Sequence, residues 1–135
     1  MRRHPKLLEN AGISPNRLGE LQRICRQYPE YRRALALARA GVEDRRGASG
    51  VWRPPDPTGS AAARLADHPA ARRVKLIVEC AARVGGRCLA RSLLRYVTEG
   101  QGYDLQHPRP PVGRRQFYQL ALSFYVELDR RLWGE

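Results

Sequence analysis

Apolar residues recur at three- and four-residue steps along much of the chain, the spacing that places them on one face of a helix. The clearest run closes the sequence, where Phe117, Leu120, Ala121, Phe124, Leu128 and Leu132 form a stripe within the stretch from Gly113 to Trp133. Gly113 suits an N-cap, Gln116 falls at the third helical position, and Val112 can close on Phe117 as a hydrophobic staple. Tyr118, Leu122 and Tyr125 make a second stripe, which meets the N-terminal arm, another subunit or water; the arm or a subunit is favoured, because aromatic groups are enriched at interfaces. Towards the start, Ser14-Pro15 reads as a cap followed by proline at the first helical position. Leu18, Leu21, Ile24, Cys25 and Tyr28 continue that helix; Pro29 forces a kink or a restart, and Tyr31, Ala34, Leu35 and Ala38 carry the pattern to Gly41.

Glycine, proline and charge then replace the apolar period, so residues 41–55 are expected to be a flexible linker. It would join an N-terminal helical arm, 1–40, to a C-terminal helical domain, 56–135. Asp56-Pro57 opens a short alanine-rich helix ending near Asp67, and His68-Pro69 resets the chain. Val74, Ile77, Val78, Ala81 and Val84 predict a helix closed by Gly85-Gly86, and Leu89, Leu93, Tyr96 and Val97 predict the next, ending before Gly100. No segment alternates with period two. The expected fold is all-α, with about five or six helices and no internal repeat.

Charge sharpens this picture. The chain carries 25 basic and 13 acidic residues, a net charge of +12, and such a field favours polyanions. Residues 113–135 hold four basic against three acidic groups, so the last helix is not a basic rod. Its positive charge is confined to Arg114-Arg115 and Arg130-Arg131. A second basic feature is the series Arg87, Arg91 and Arg95, whose four-residue steps place it on one helix face, away from much of Leu89, Leu93 and Tyr96. That face is either solvated or a ridge that contacts phosphates and fixes register.

Catalytic and metal signatures are missing from the pattern. The acidic residues show no general acid–base pairing, and Arg45-Arg46-Gly47-Ala48-Ser49-Gly50 lacks the lysine and hydroxyl of a P-loop. Cys25, Cys80 and Cys88 have no Cys-x-x-Cys spacing and are expected to be buried free thiols in a reducing cytoplasm. No membrane span or signal-peptide core is evident. The expectation is a cytoplasmic, non-enzymatic protein without metal or cofactor.

Three blocks resemble a known group: Asp56-Pro57-Thr58-Gly59, then Tyr96-Val97-Thr98-Glu99-Gly100 with Tyr103, then Val112-Gly113-Arg114-Arg115-Gln116-Phe117-Tyr118. Together with the Arg-x-Tyr-Pro-Glu-Tyr of the Leu21–Tyr31 region, they resemble small phage and prophage proteins of the RinA/ArpU-type late-gene regulators. The C-terminal end of that group is similar to the helix-turn-helix of sigma factors. The resemblance implies a small helical domain with a degenerate helix-turn-helix whose recognition helix begins at Gly113. The motif departs from the sigma pattern at Gly100–Leu105, which leaves room for about one helical turn before three prolines.

Two functional readings follow. In the first, the protein is a DNA-binding transcriptional regulator of phage or mobile-element origin. Arg114, Arg115, Gln116, Tyr118 and Gln119 then face the major groove of double-stranded DNA or its phosphates, and Arg87, Arg91 and Arg95 contact its backbone. RNA polymerase or another phage protein would be the partner, and a homo-oligomer is left open. In the second, it is a helical adaptor or packaging-associated protein that binds a protein partner through the two-sided last helix. The two separate on whether residues 87, 91, 95, 114 and 115 form one exposed basic surface.

Overall fold

The computed structural model describes residues 4–48, 65 and 68–134, the side chains of 42–48 excepted. Its described elements are helical: α1 (Lys6–Asn10), α2 (Pro15–Arg26), α3 (Tyr28–Ala48), α4 (Pro69–Glu99), a 3-10 turn at Tyr103–Leu105, and α5 (Arg114–Trp133). The all-α expectation holds. The short helix expected between Asp56 and Asp67 lies outside the described residues, Leu65 apart.

Local chemistry sets the helix ends. The Ser14 hydroxyl accepts the Arg17 backbone N–H at 3.1 Å with Pro15 behind it, so α2 starts as the cap signal predicts. Pro29 produces a restart: α2 ends at Arg26 and α3 begins at Tyr28. The small helix α1 has no counterpart in the sequence reading. It stops in a Schellman motif, with Ile13 N–H on the Leu8 carbonyl at 2.9 Å and Gly12 N–H on that of Glu9 at 3.0 Å. Gly12 supplies the required positive φ of 75°, and Leu8 and Ile13 are both buried beside it.

Two expectations are corrected. The helix does not stop at Gly41; α3 runs on to Ala48, so the first half of the expected 41–55 linker is helical. One glycine costs a helix only about 1 kcal/mol, and Ala38, Arg39, Ala40, Val42 and Glu43 around it all accept helical geometry. The remaining residues, 49–55, lie outside the described set. Nor do the compact units follow the 1–40 and 56–135 division. One unit comprises 1–27 with 76–135 and the other 28–75, so the expected arm divides at Gln27.

Within the first unit, α5 is the central helix. Ring contacts of Tyr96 with Phe117 and Tyr118, and ion pairs from Glu79 and Arg83 to Arg131 and Glu127, run α4 antiparallel along one side. On another side α1 and α2 pack on α5, and Arg17 of α2 meets Asp129. The core holds Phe117, Phe124, Leu128, Leu21, Ile77 and Leu93, all fully buried, with Ala121 between them. Tyr125 is buried as well, while Tyr118 and Leu122 are half-buried. The second stripe of α5 is thus covered largely from within the chain. Leu120 and Leu132, expected in the core, are half-buried, and Val78 is exposed while Cys80 takes its place inside.

α4 is interrupted at Gly86, whose φ of 65° and ψ of −169° no helix contains. A Cβ on Gly85 would lie 2.8 Å from Leu93 Cδ1 and 2.9 Å from the Ala90 nitrogen, so the break needs the first glycine for space and the second for backbone conformation. The expected stop at Gly85-Gly86 is therefore present inside a helix that resumes at once. In the second unit, Leu35 and Ala70 are buried, and the His68 Nδ1 accepts the Ala70 N–H at 3.1 Å where α4 starts.

Candidate nucleic-acid interface

The N-terminal turn of α5 is built on a stitched loop. α4 ends at Glu99 and α5 starts at Arg114, so residues 100–113 intervene where a helix-turn-helix uses about three or four. Buried Gln106 donates its side-chain amide to the carbonyls of Ser92 and Gln101, both at 2.9 Å, tying the loop to α4. Tyr103 donates its hydroxyl to the Val112 carbonyl at 2.7 Å, and its backbone N–H donates to the Tyr118 hydroxyl at 3.1 Å. The Tyr96, Tyr103, Phe117 and Tyr118 rings cluster with centroids 5.4–5.8 Å apart. Gly113 caps the helix in extended conformation, as expected, and its carbonyl accepts the Phe117 N–H at 2.9 Å.

This scaffold sorts the expected contact residues. Arg115, Gln116 and Gln119 are exposed, and Arg115 makes no ion pair among the described residues. They occupy the side of α5 turned away from Phe117, Ala121 and Phe124. Arg114 is also exposed, but its Nη2 is held 2.7 Å from Asp104 Oδ1 on the 3-10 turn. Tyr118 is placed elsewhere: its ring is half-buried between Tyr96 and Phe117 and its hydroxyl is engaged by Tyr103, so it supports the tip from beneath. Burial, then the Tyr118 neighbour, pushes the Tyr96 hydroxyl above its ordinary range, as expected for rings that keep their protons.

On α4, Arg87 and Arg91 are exposed and Arg95 is half-buried. Arg87, Arg91 and Arg95 average about 140° round the helix axis from Tyr96, the residue that meets α5. The row therefore points away from the α4–α5 contact. Arg114 and Arg115 belong to the α5 tip, and Arg87 and Arg91 form an exposed pair on α4 that faces away from Tyr96.

The other end of α5 differs. Glu127 accepts from Arg130 at 2.7 Å and from Arg131 at 3.1 Å, with Arg83 3.5 Å away, and Arg131 reaches Glu79 at 2.8 Å. Arg130, then Arg131, hold the Glu127 carboxyl below the ordinary glutamate range. Arg17 bonds Asp129 at 2.5 Å and lies 4.3 Å over the Trp133 ring.

The thiols also separate. Cys25 and Cys80 are buried, and burial pushes the first to about 12 and the second to about 11, so both stay protonated. Cys88 is exposed, contrary to the expectation of buried thiols: it sits beside the arginine row, one residue past Arg87. Among the described residues no three His, Cys, Asp or Glu side chains converge as metal ligands, and no helix is long and apolar enough to cross a membrane.

Sequence missed Asp104 and Gln106. Neither falls in a motif, and both act through contacts that only the folded loop creates. Comparison with known proteins yields no match to a family model, to a curated protein or to a solved structure.

Proposed function

We propose that the chain is a DNA-binding transcriptional regulator, with Arg115, Gln116 and Gln119 as its reading surface and Arg114 available once it leaves Asp104. The observation that carries the reading is a polar, unpaired strip on the first two turns of a helix whose other faces are fixed by core packing. Arginine offers a bidentate fork to guanine or phosphate, and glutamine does the same for adenine. Rigid support beneath the donors is what converts flexible side chains into a defined array. The phage or mobile-element setting and a contact with RNA polymerase rest on the sequence blocks alone.

The adaptor reading gains because Arg87 and Arg91 face away from the α4–α5 contact while Arg114 and Arg115 sit on α5. It loses more, because the second apolar stripe on which it depended is largely covered by the protein's own helices. DNA binding needs only one of the two basic faces. The test is affinity of the full chain for duplex DNA flanking its own gene across salt concentrations. Binding that weakens steeply with salt supports the reading. No salt-dependent binding overturns it in favour of the adaptor.

A further inference from the structure

An acidic residue stands at the helix end proposed to meet DNA. Asp104 is the one carboxylate in the sequence between Glu99 and Glu127, and the fold sets it against the first turn of α5. The 3-10 turn that carries it is pressed onto that helix: a Cβ on Gly102 would lie 2.8 Å from the Tyr118 hydroxyl. Tyr103, just before Asp104, bonds to Val112 and Tyr118 at 2.7 and 3.1 Å. The Leu105 N–H closes the turn on the Gly102 carbonyl at 3.1 Å, and Gln106 beyond it is buried and bonded to Ser92 and Gln101. Backbone anchored on both sides thus brings the Asp104 carboxylate to 2.7 Å from Arg114, while both side chains stay more than half exposed. The pair is placed by the scaffold and open to a ligand.

The chemistry of the pair selects what can open it. A ligand that draws Arg114 away leaves the carboxylate within about 4–6 Å, where like charges oppose each other. A phosphate is such a charge, whereas a base edge is neutral. Asp104 therefore biases Arg114 towards bases, and guanine, with two acceptors on its major-groove edge, matches the arginine fork. The released carboxylate accepts hydrogen bonds and donates none, so it needs a donor of its own. Major-groove donors are the amino groups of adenine and cytosine. Adenine sets the N7 acceptor beside its amino group, which repels a carboxylate; cytosine presents the donor without it. Base pairs stack about 3.4 Å apart, so two side chains in contact reach one pair or two neighbours.

We propose that Asp104 is a specificity-determining residue of the α5 tip, accepting from the amino group of a cytosine while Arg114 takes a guanine on the same or the adjoining base pair. The internal ion pair is exchanged for two base contacts. The inference rests on the reading of α5 as a DNA-binding helix and names part of its target.

The experiment offers the full chain a pool of duplexes with a randomised core and reads base preferences by sequencing the bound and unbound fractions. Wild type is compared with Asp104→Ala, Asp104→Asn, Arg114→Ala and Arg115→Ala, each at unchanged melting temperature. Wild type is expected to prefer a guanine and an adjoining cytosine by about tenfold. Arg114→Ala should erase the guanine preference and Asp104→Ala the cytosine preference. Asp104→Asn should shift the cytosine position to adenine, whose donor and acceptor match an amide, and bind the unselected pool about two- to fivefold more tightly.

A cytosine preference that survives Asp104→Ala overturns the proposal. So does an equal loss of affinity for all sequences in both Asp104 variants, which would make Asp104 a support for the tip. Preferences that Arg115→Ala erases and Asp104→Ala leaves intact keep the α5 reading and sink the role of Asp104. A wild type that shows no salt-dependent binding to the pool sinks both.

Discussion

The two ends of α5 carry the same dipeptide, Arg-Arg, in opposite settings. Arg130-Arg131 stands in the last turn, where the helix macrodipole welcomes cations, and Glu127 and Glu79 complete the match. Arg114-Arg115 stands in the first turn, where the same dipole opposes cations, and only Arg114 has a carboxylate, supplied by Asp104. One pair makes structural sense with nothing added. The other works against its own helix and is left exposed, which fits residues kept for a ligand rather than for the fold. Net charge alone does not distinguish the two; the position of each charge along the helix does.

The largest expected effect comes from the shared core between those ends. Phe124 is fully buried between the two ends of α5. Phe124→Ala should destabilise the protein by about 3–5 kcal/mol, read as a lower midpoint in denaturant. An unchanged midpoint would mean that the two ends are not braced by a common core. Gly86→Ala comes next, since its φ of 65° and ψ of −169° fall in a region essentially only glycine occupies, at a cost of about 1–3 kcal/mol. The same denaturation series would show it, with no loss indicating that α4 does not need its break.

The matched end should show itself in acid. Glu127 has its folded carboxyl held below the ordinary range by Arg130 and Arg131. Its contribution is therefore complete above the unfolded glutamate value, about 4.3, and is lost as pH falls through the lower folded value. Glu127→Gln should remove that part of the acid dependence of the melting temperature. Identical slopes for variant and wild type below pH 5 would show that the cluster is not coupled to folding.

Much of this contrast was legible in the sequence, because it depends on periodicity and caps. Ser14-Pro15, Gly85-Gly86 and Gly113 each sit where a helix begins or breaks, and Phe117, Ala121, Phe124 and Leu128 sit inside as their spacing requires. Gly41 misled because a single glycine is affordable in a helix. Helix α1 escaped notice because one turn is too short to show a period. Tyr118 looked like a tip residue by its place in the first turns, but a backbone N–H fifteen positions upstream takes its hydroxyl. Asp104 and Arg114 likewise meet through the loop, ten residues apart, at a spacing no helix period picks out.

Smaller effects refine the unmatched end. Asp104→Asn should release Arg114 and raise duplex affinity roughly two- to fivefold, the modest scale of an exposed pair. Affinity that falls instead would make Asp104 a support for the tip rather than a competitor for Arg114.

The most direct measurement sets the two arginine pairs against each other. Duplex affinity is followed against salt concentration for wild type, Arg115→Ala and Arg130→Ala. Salt-dependent wild-type binding, weakened about tenfold by Arg115→Ala and left close to wild type by Arg130→Ala, is the predicted result. Binding that is absent in wild type, or lost equally in both variants, would contradict the division of α5 into a structural end and a DNA-binding end.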